Sequence, residues 1–251
     1  MMGDRHSVRR SRAQMPRPRQ AIRPRSASGG HHSTPPPRRH RRLWRWLLLV
    51  VLSVVLAALC VRLLWRRPGP VPRRIGIIAG HWRNDSGATC PDGLREVDIT
   101  LPVARAVVER LKASGYQAEV LPEYSSRLHG YRGLALLSLH ADSCVELTGF
   151  KAVGRSWGPS SAASARLVNC LIRRYGAATG LAFHANTITP AMTGYHAFYK
   201  AAPGTPAAIV ELGFLGTDRR LLTMEQERVV QGIVDGLLEF LSSADRPAVT
   251  P

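Results

Sequence analysis

Residues 74–81 read Arg74-Ile75-Gly76-Ile77-Ile78-Ala79-Gly80-His81. A short apolar run of this length, closed by glycine, is the pattern of a buried strand. The imidazole that follows then stands at the strand's carboxyl end, where open α/β sheets gather their functional groups. The pattern recurs twice. Leu134–Leu139 is followed by His140, and Ala207–Val210 is followed by Glu211. If these runs are parallel neighbours, the three side chains meet at one edge of one sheet.

The segments between the runs have helical spacing. From Glu96 to Ser114, the residues Val97, Leu101, Ala104, Val107, Val108 and Leu111 fall on one stripe. A helix start near Thr100 would make Pro102 a first-turn proline, and Gly115 is a C-terminal stop. Ser160–Thr179 predicts a second long helix and Gln226–Leu241 a closing amphipathic one. Tyr116–Leu121, Thr148–Val153 and Tyr195–Tyr199 read as further strands. Strands alternating with helices predict an α/β fold with a mostly parallel central sheet flanked by helices.

Charge divides the chain. Of 35 basic and 17 acidic residues, residues 1–74 hold 18 Arg and a single acid, Asp4, so that they carry +17 of the net +18. Residues 75–251 are nearly neutral and long enough for one domain with its own core. Residues 1–42 are Arg-, Pro- and Ser-rich, with too little apolar surface to offset the entropy of ordering, and are expected to be disordered. From Trp46 to Val61 every residue except Ser53 is apolar, with Trp44, Trp46 and Trp65 and several arginines at the ends. Snorkelling by Arg45 and Arg62 extends this run to a spanning length over residues 43–65. It predicts an uncleaved membrane anchor. No small-x-small site follows it, as a cleaved signal peptide would require. The 13 Arg before it, against five after, place the N-terminus in the cytoplasm and the domain outside. Residues 66–74 are a stiff Pro-rich linker, 75–243 the catalytic domain and 244–251 a C-terminal tail. The Arg-rich tail has no aromatic residues to stack on bases and no folded reading element, so no specific nucleic-acid partner is expected.

Four side chains then carry the chemistry: His81, Glu96, His140 and Glu211. Two imidazoles and a carboxylate suffice for a catalytic zinc, with a second carboxylate free to act as base. Each has a plainer explanation. A lone His is more often structural, and an acid at a helix start is favoured by the dipole. Neither explanation covers two histidines at equivalent strand ends. Glu211 is an acid inside Ala-Ala-Ile-Val-Glu211-Leu-Gly-Phe, where burial without a partner is expensive.

In order, the four segments resemble the zinc-dependent N-acetylmuramoyl-L-alanine amidases with a His-Glu-His metal site. The first His follows a strand and glycine, as His81 does, and a Glu some 15 residues on matches Glu96. Ser138-Leu-His140-Ala-Asp142 matches the family's Ser-x-His-Ala-Asn, and Val210-Glu211-Leu-Gly-Phe214 its Val-Glu-x-Gly-Phe. The likeness covers about 75–241. It departs at Trp82 after the first His, at Asp142, and over Pro122–Arg132, which lacks the usual Thr-Arg. The resemblance implies the fold of the zinc amidases, related to phosphorylase/hydrolase-like enzymes. It implies one Zn2+ held by His81, Glu96 and His140, with Glu211 as proton carrier. The substrate would be peptidoglycan, cut between N-acetylmuramic acid and L-alanine. A non-catalytic peptidoglycan-binding domain of the same fold is the rival reading, and a zinc peptidase acting within the stem peptide is another.

Further residues have weaker assignments. His196 is expected to face the site and touch substrate, and Asp142 to orient a histidine ligand. His129 and His184 carry no role. Cys144 and Cys170 are the expected disulfide, with Cys90 able to replace either.

Overall fold

The computed structural model describes residues 38–64 and 72–244, which form two separate units. The first unit is one helix, α1 (Arg38–Leu64), and it starts before the expected residue 43. Within it, Arg42–Arg62 is long and apolar enough to cross a membrane, and its side chains are all exposed. The expected disordered tail up to residue 37, most of the linker (65–71) and the C-terminal tail from 245 lie outside the described residues.

The second unit is built on β1 (Arg74–Ala79), the run quoted at the outset. A helix, α2 (Val97–Ala113), leads to β2 (Gln117–Pro122), which pairs parallel with β1. On the other side of β1 lies β3 (Ala135–Asp142), also parallel. Then come β4 (Lys151–Gly154), α3 (Ser161–Thr179), and two short helices, α4 (Pro190–Thr193) and α5 (His196–Lys200). The chain ends with β5 (Ala207–Phe214), α6 (Arg219–Met224) and α7 (Gln226–Ala244). The strand order is β2-β1-β3-β5-β4, with only β4 antiparallel to its neighbour β5. This is the mixed α/β architecture read from the sequence.

Strand alternation separates the two faces. Ile75, Ile77, Ala79, Leu137, Leu139, Val210 and Leu212 pack with α2, α3 and α7 in the main core. Ile78, Leu136 and Ile209 point the other way, to a smaller core with Met192, Tyr195 and Phe198. The same parity puts Ser138, His140 and Glu211 on this second face, beyond the end of its apolar cluster. The unequal faces of β1, β3 and β5 fix the register, because a slip of one residue in β3 or β5 would exchange its faces and turn His140 or Glu211 into the main apolar core.

Two local expectations are corrected. Tyr195–Tyr199 is not a strand; His196–Lys200 is a helix. Its aromatics look alternating, yet Tyr195 and Phe198 are both buried while Tyr199 is exposed, which is helical spacing. Helix α2 starts at Val97 rather than near Thr100, so Pro102 lies inside it. The start is set by tertiary bonds instead. Glu96 N–H donates to Ala88 O at 2.8 Å and Val97 N–H to Ser86 O at 3.2 Å, tying the helix entry to the loop after His81.

Candidate active site

Gly80 places the first histidine. Its N–H donates to Leu139 O at 2.9 Å, which continues the sheet, and Thr100 Oγ1 donates to its carbonyl at 2.8 Å. A Cβ on Gly80 would lie 2.7 Å from His140 Nδ1 and 2.6 Å from its Cε1, so only glycine lets that ring sit where it does. The next residue, His81, has φ 65°, a left-handed conformation uncommon outside glycine. It turns the chain sharply away from the sheet, and Asn84 and Asp85 N–H both donate back to its carbonyl.

The three expected ligand residues come together. His81 Nε2 lies 3.2 Å from Glu96 Oε2, and His140 Nδ1 lies 2.9 Å from Glu96 Oε1. One donor atom from each falls within 4.8 Å of the others. Glu96 also accepts from the N–H groups of Ala88 at 3.1 Å and Ala141 at 3.0 Å. Gly87, with φ 66°, closes over the group; a Cβ there would lie 2.6 Å from Glu96 Oε2 and 2.7 Å from His81 Cδ2.

The electrostatics demand a positive charge at this point. Asp85 Oδ1 sits against His81 Nδ1 and accepts a hydrogen bond from its N–H, so in the neutral ring Nε2 faces Glu96 with a lone pair. A bare ring nitrogen against a carboxylate is acceptor against acceptor unless a proton or a cation lies between. Without a metal, protons fill the role. The Glu96 hydrogen bond raises His81 to about 9, against the opposing effect of burial. Burial pulls His140 down, but bonds to Glu123 and Glu96 outweigh it and lift the ring to about 10. Burial likewise works against ionised Glu96, yet the two histidines hold it down at about 2. Two nitrogens and one oxygen around a charge-seeking point are a donor set that suits zinc.

Glu211 lies beside this group. It is level with His140 across the β3–β5 pairing, and level with Lys151 across the β5–β4 pairing, so the three form one row. Its Oε2 is buried and has no hydrogen-bond partner. Burial raises its carboxyl to about 7, with His140 pulling the other way. The Glu211 proton is therefore exchangeable near neutrality, as an acid–base group requires.

The weaker assignments fare differently. Asp142 does not reach a histidine; it forms a buried ion pair with Lys151. The β4 strand, whose Lys151 lies level with Glu211, brings that partner in. His196 is near the site, but both ring nitrogens are engaged: Lys200 Nζ donates to Nδ1 at 3.0 Å, and Nε2 donates to Glu123 Oε1 at 2.7 Å. The disulfide joins Cys90 to Cys144, and Cys170 is a buried free thiol on α3. The Cys144 sulfur is taken by Cys90, so the expected Cys144–Cys170 pair is replaced by Cys90–Cys144 and Cys170 stays a thiol within the main core. The bridge ties the loop between His81 and Glu96 to the segment just after His140. Two further residues belong to the site although their segments gave no signal, Asp85 and Glu123. Asp85 stands four residues after His81, at the spacing of one turn.

Two histidines carried by β1 and β3 and a glutamate at the entry of α2 form a group that could hold a cation, with a buried acid level with His140, an arrangement suited to hydrolysis. The family model for N-acetylmuramoyl-L-alanine amidases matches residues 75–239, and the chain belongs to that family. Among solved structures, it is similar to the catalytic domain of CwlV, an N-acetylmuramoyl-L-alanine amidase from Bacillus (Paenibacillus) polymyxa var. colistinus. Identity there is 24%, with a TM-score of 0.51, covering 68% of this chain and 98% of that one. The amidase Ami1 from Mycobacterium smegmatis is 18% identical with a TM-score of 0.52, covering 69% of this chain and 98% of the other. The CwlD amidase from Clostridioides difficile, solved with the GerS lipoprotein, is 18% identical with a TM-score of 0.52, covering 68% and 99%. At these identities the likeness is one of fold. No curated protein matches the chain.

Proposed function

We propose that this enzyme is a zinc-dependent peptidoglycan amidase that cuts the amide between N-acetylmuramic acid and L-alanine. Its N-terminal helix would hold it to the cell membrane as a single-pass anchor, with the Arg-rich end in the cytoplasm and the catalytic domain outside. His81 Nε2, His140 Nδ1 and a Glu96 oxygen would hold the metal. A zinc ion there would supply a Lewis acid that polarises the scissile carbonyl and makes a bound water more acidic. The protein supplies the proton traffic. Glu211 accepts a proton from the attacking water, whose oxygen joins the lactyl carbonyl carbon. As the C–N bond breaks, Glu211 delivers that proton to the departing L-alanine nitrogen. The products are a lactyl carboxylate and a stem peptide with a free amino end.

One observation carries this reading: a buried Glu211 oxygen without a partner, in the same row as His140. A scaffold domain gains nothing from that costly acid. The test is mass spectrometry of purified peptidoglycan treated with the enzyme, with and without a chelator. Stem peptides beginning with L-alanine, together with peptide-free muramic acid, are expected, and chelation should stop their release. Fragments cut within the stem peptide would make the protein a peptidase instead. Intact wall with the metal bound would leave a binding domain.

A further inference from the structure

Glu123 is buried, at 4% exposure, just beyond the end of β2, and the chemistry above gives it no task. Its backbone N–H donates to Trp82 O at 3.2 Å, which locks it to the turn that carries His81. Its carboxylate then gathers donors from four directions. Tyr195 OH donates to Oε1 at 2.8 Å and His196 Nε2 to the same oxygen at 2.7 Å. The His81 N–H donates to Oε2 at 3.1 Å, and His140 Nε2 stands 3.4 Å from that oxygen.

We propose that Glu123 is a positioning residue that holds His140 by Nε2 and thereby leaves Nδ1 turned to Glu96 as the metal-binding nitrogen. The proton count supports this. Lys200 is a donor only, so His196 Nδ1 must accept, and the His196 proton lies on Nε2, facing Glu123. Tyr195 OH spends its proton on Glu123 and accepts from Ser138 Oγ at 2.8 Å. The His140 Nε2 is buried and without a hydrogen-bond partner, and Glu123 Oε2 stands 3.4 Å from it. A proton on Nε2 satisfies both groups; a proton on Nδ1 would set a bare nitrogen against Glu123. Asp85 stands in the same relation to His81, at the opposite ring nitrogen. Each histidine of the group thus has a carboxylate behind it that fixes which nitrogen faces the centre.

The inference rests on the zinc reading of the site, and the test separates the two. Zinc affinity of the full chain in detergent is measured by competition with a chromophoric chelator, beside the melting temperature of the metal-free form. Wild type should bind one zinc; no binding would sink the zinc reading itself. Glu123→Gln keeps the shape but brings an amide toward His140. We expect its affinity to fall about ten- to a hundredfold, and Glu123→Asp to recover part of the loss. Tyr199→Phe changes an exposed ring on the same short helix as His196 without touching Glu123, and should bind zinc as wild type does. Equal affinity in wild type and Glu123→Gln would overturn the proposal, whatever the melting temperatures. If Glu123→Gln does not fold, 15N-histidine NMR of zinc-loaded wild type decides. A His140 proton on Nε2 supports the assignment, and one on Nδ1 overturns it.

Discussion

At the scale of single residues, the decisive feature is the contrast between two buried acids on either side of His140, Glu96 bonded to its ring and Glu211 level with it across the sheet. Glu96 is held ionised by two rings, and Glu211 is pushed toward its neutral form by burial. That division suits one acid for a ligand and the other for a proton carrier. Glu211→Gln should keep the metal and lose about a hundred- to ten-thousandfold in kcat, read by metal content and fragment release together. The pH dependence follows from the sign of the shift. Below its pKa, about 7 in the metal-free protein, the carboxyl keeps its proton and cannot take another. A bound cation favours the ionised form and moves that value down. We expect kcat/KM to fall tenfold per pH unit below a bend at or below pH 7, and that bend to vanish from the residual activity of Glu211→Gln; the same bend in the variant would remove Glu211 from the role. His81, Glu96, His140 and Glu211 were legible because each directly follows an apolar run or opens a helical pattern, although β3 and β5 run on past His140 and Glu211. Glu123 and Asp85 were not. They lie in polar loops where nothing in the local pattern says which side chain folds inward, and only the tertiary path of the β2 loop past Trp82 brings Glu123 under His140.

At the scale of elements, strand ends supply the ligands, and small residues and cross-links set their spacing. The parallel strands and long helices were readable from apolar periodicity. The aromatic segment at Tyr195 was misread because alternation and helical spacing coincide over five residues. What periodicity does not show is how the loops are held. Arg155 does this for 198–205: its buried guanidinium donates to the carbonyls of Phe198 at 3.0 Å, Pro203 at 2.7 Å and Thr205 at 2.7 Å. Gly87 does it over the site. Gly87→Ala would place a methyl group against Glu96 and His81 at a left-handed backbone position, which alone costs about 1 kcal/mol. The strain is local to the ligands, so we expect zinc affinity to fall at least tenfold while the circular dichroism spectrum is unchanged; wild-type affinity would show that the ligand loop has room to give. The Cys90–Cys144 bridge spans 54 residues and encloses α2, β1's neighbour β2 and the whole of β3. Closing a loop of that length is worth about 4 kcal/mol in the chain-entropy account. Reduction, or Cys90→Ser, should lower the melting temperature by roughly 10 °C, and Cys170→Ser should leave the non-reduced protein's melting point nearly unchanged.

At the scale of the whole molecule, two physically different objects are joined, and their composition says how each meets its surroundings. The catalytic unit buries its apolar residues in two cores on either face of one sheet. Over residues 42–62 of helix α1 none is buried: Leu47, Leu48, Leu49, Val50, Val51, Leu52, Val54, Val55 and Leu56 are all more than half exposed. An apolar helix of that length is long enough to cross the hydrocarbon core of a bilayer. Its arginines add electrostatic attraction, about 1 kcal/mol for each one near an anionic leaflet, and salt screens that part alone. The two contributions can therefore be told apart. If α1 spans the membrane, the full chain should stay with the membrane fraction through washes of high salt and be released only by detergent, whereas residues 72–251 should remain in the soluble fraction and still release stem peptides from isolated wall. Release by salt would mean that the arginines, not the apolar helix, hold the chain to the surface. A mature protein whose mass corresponds to a start beyond residue 60 would mean that the helix is removed as a signal, leaving the amidase domain free to diffuse from the membrane to the wall it cuts.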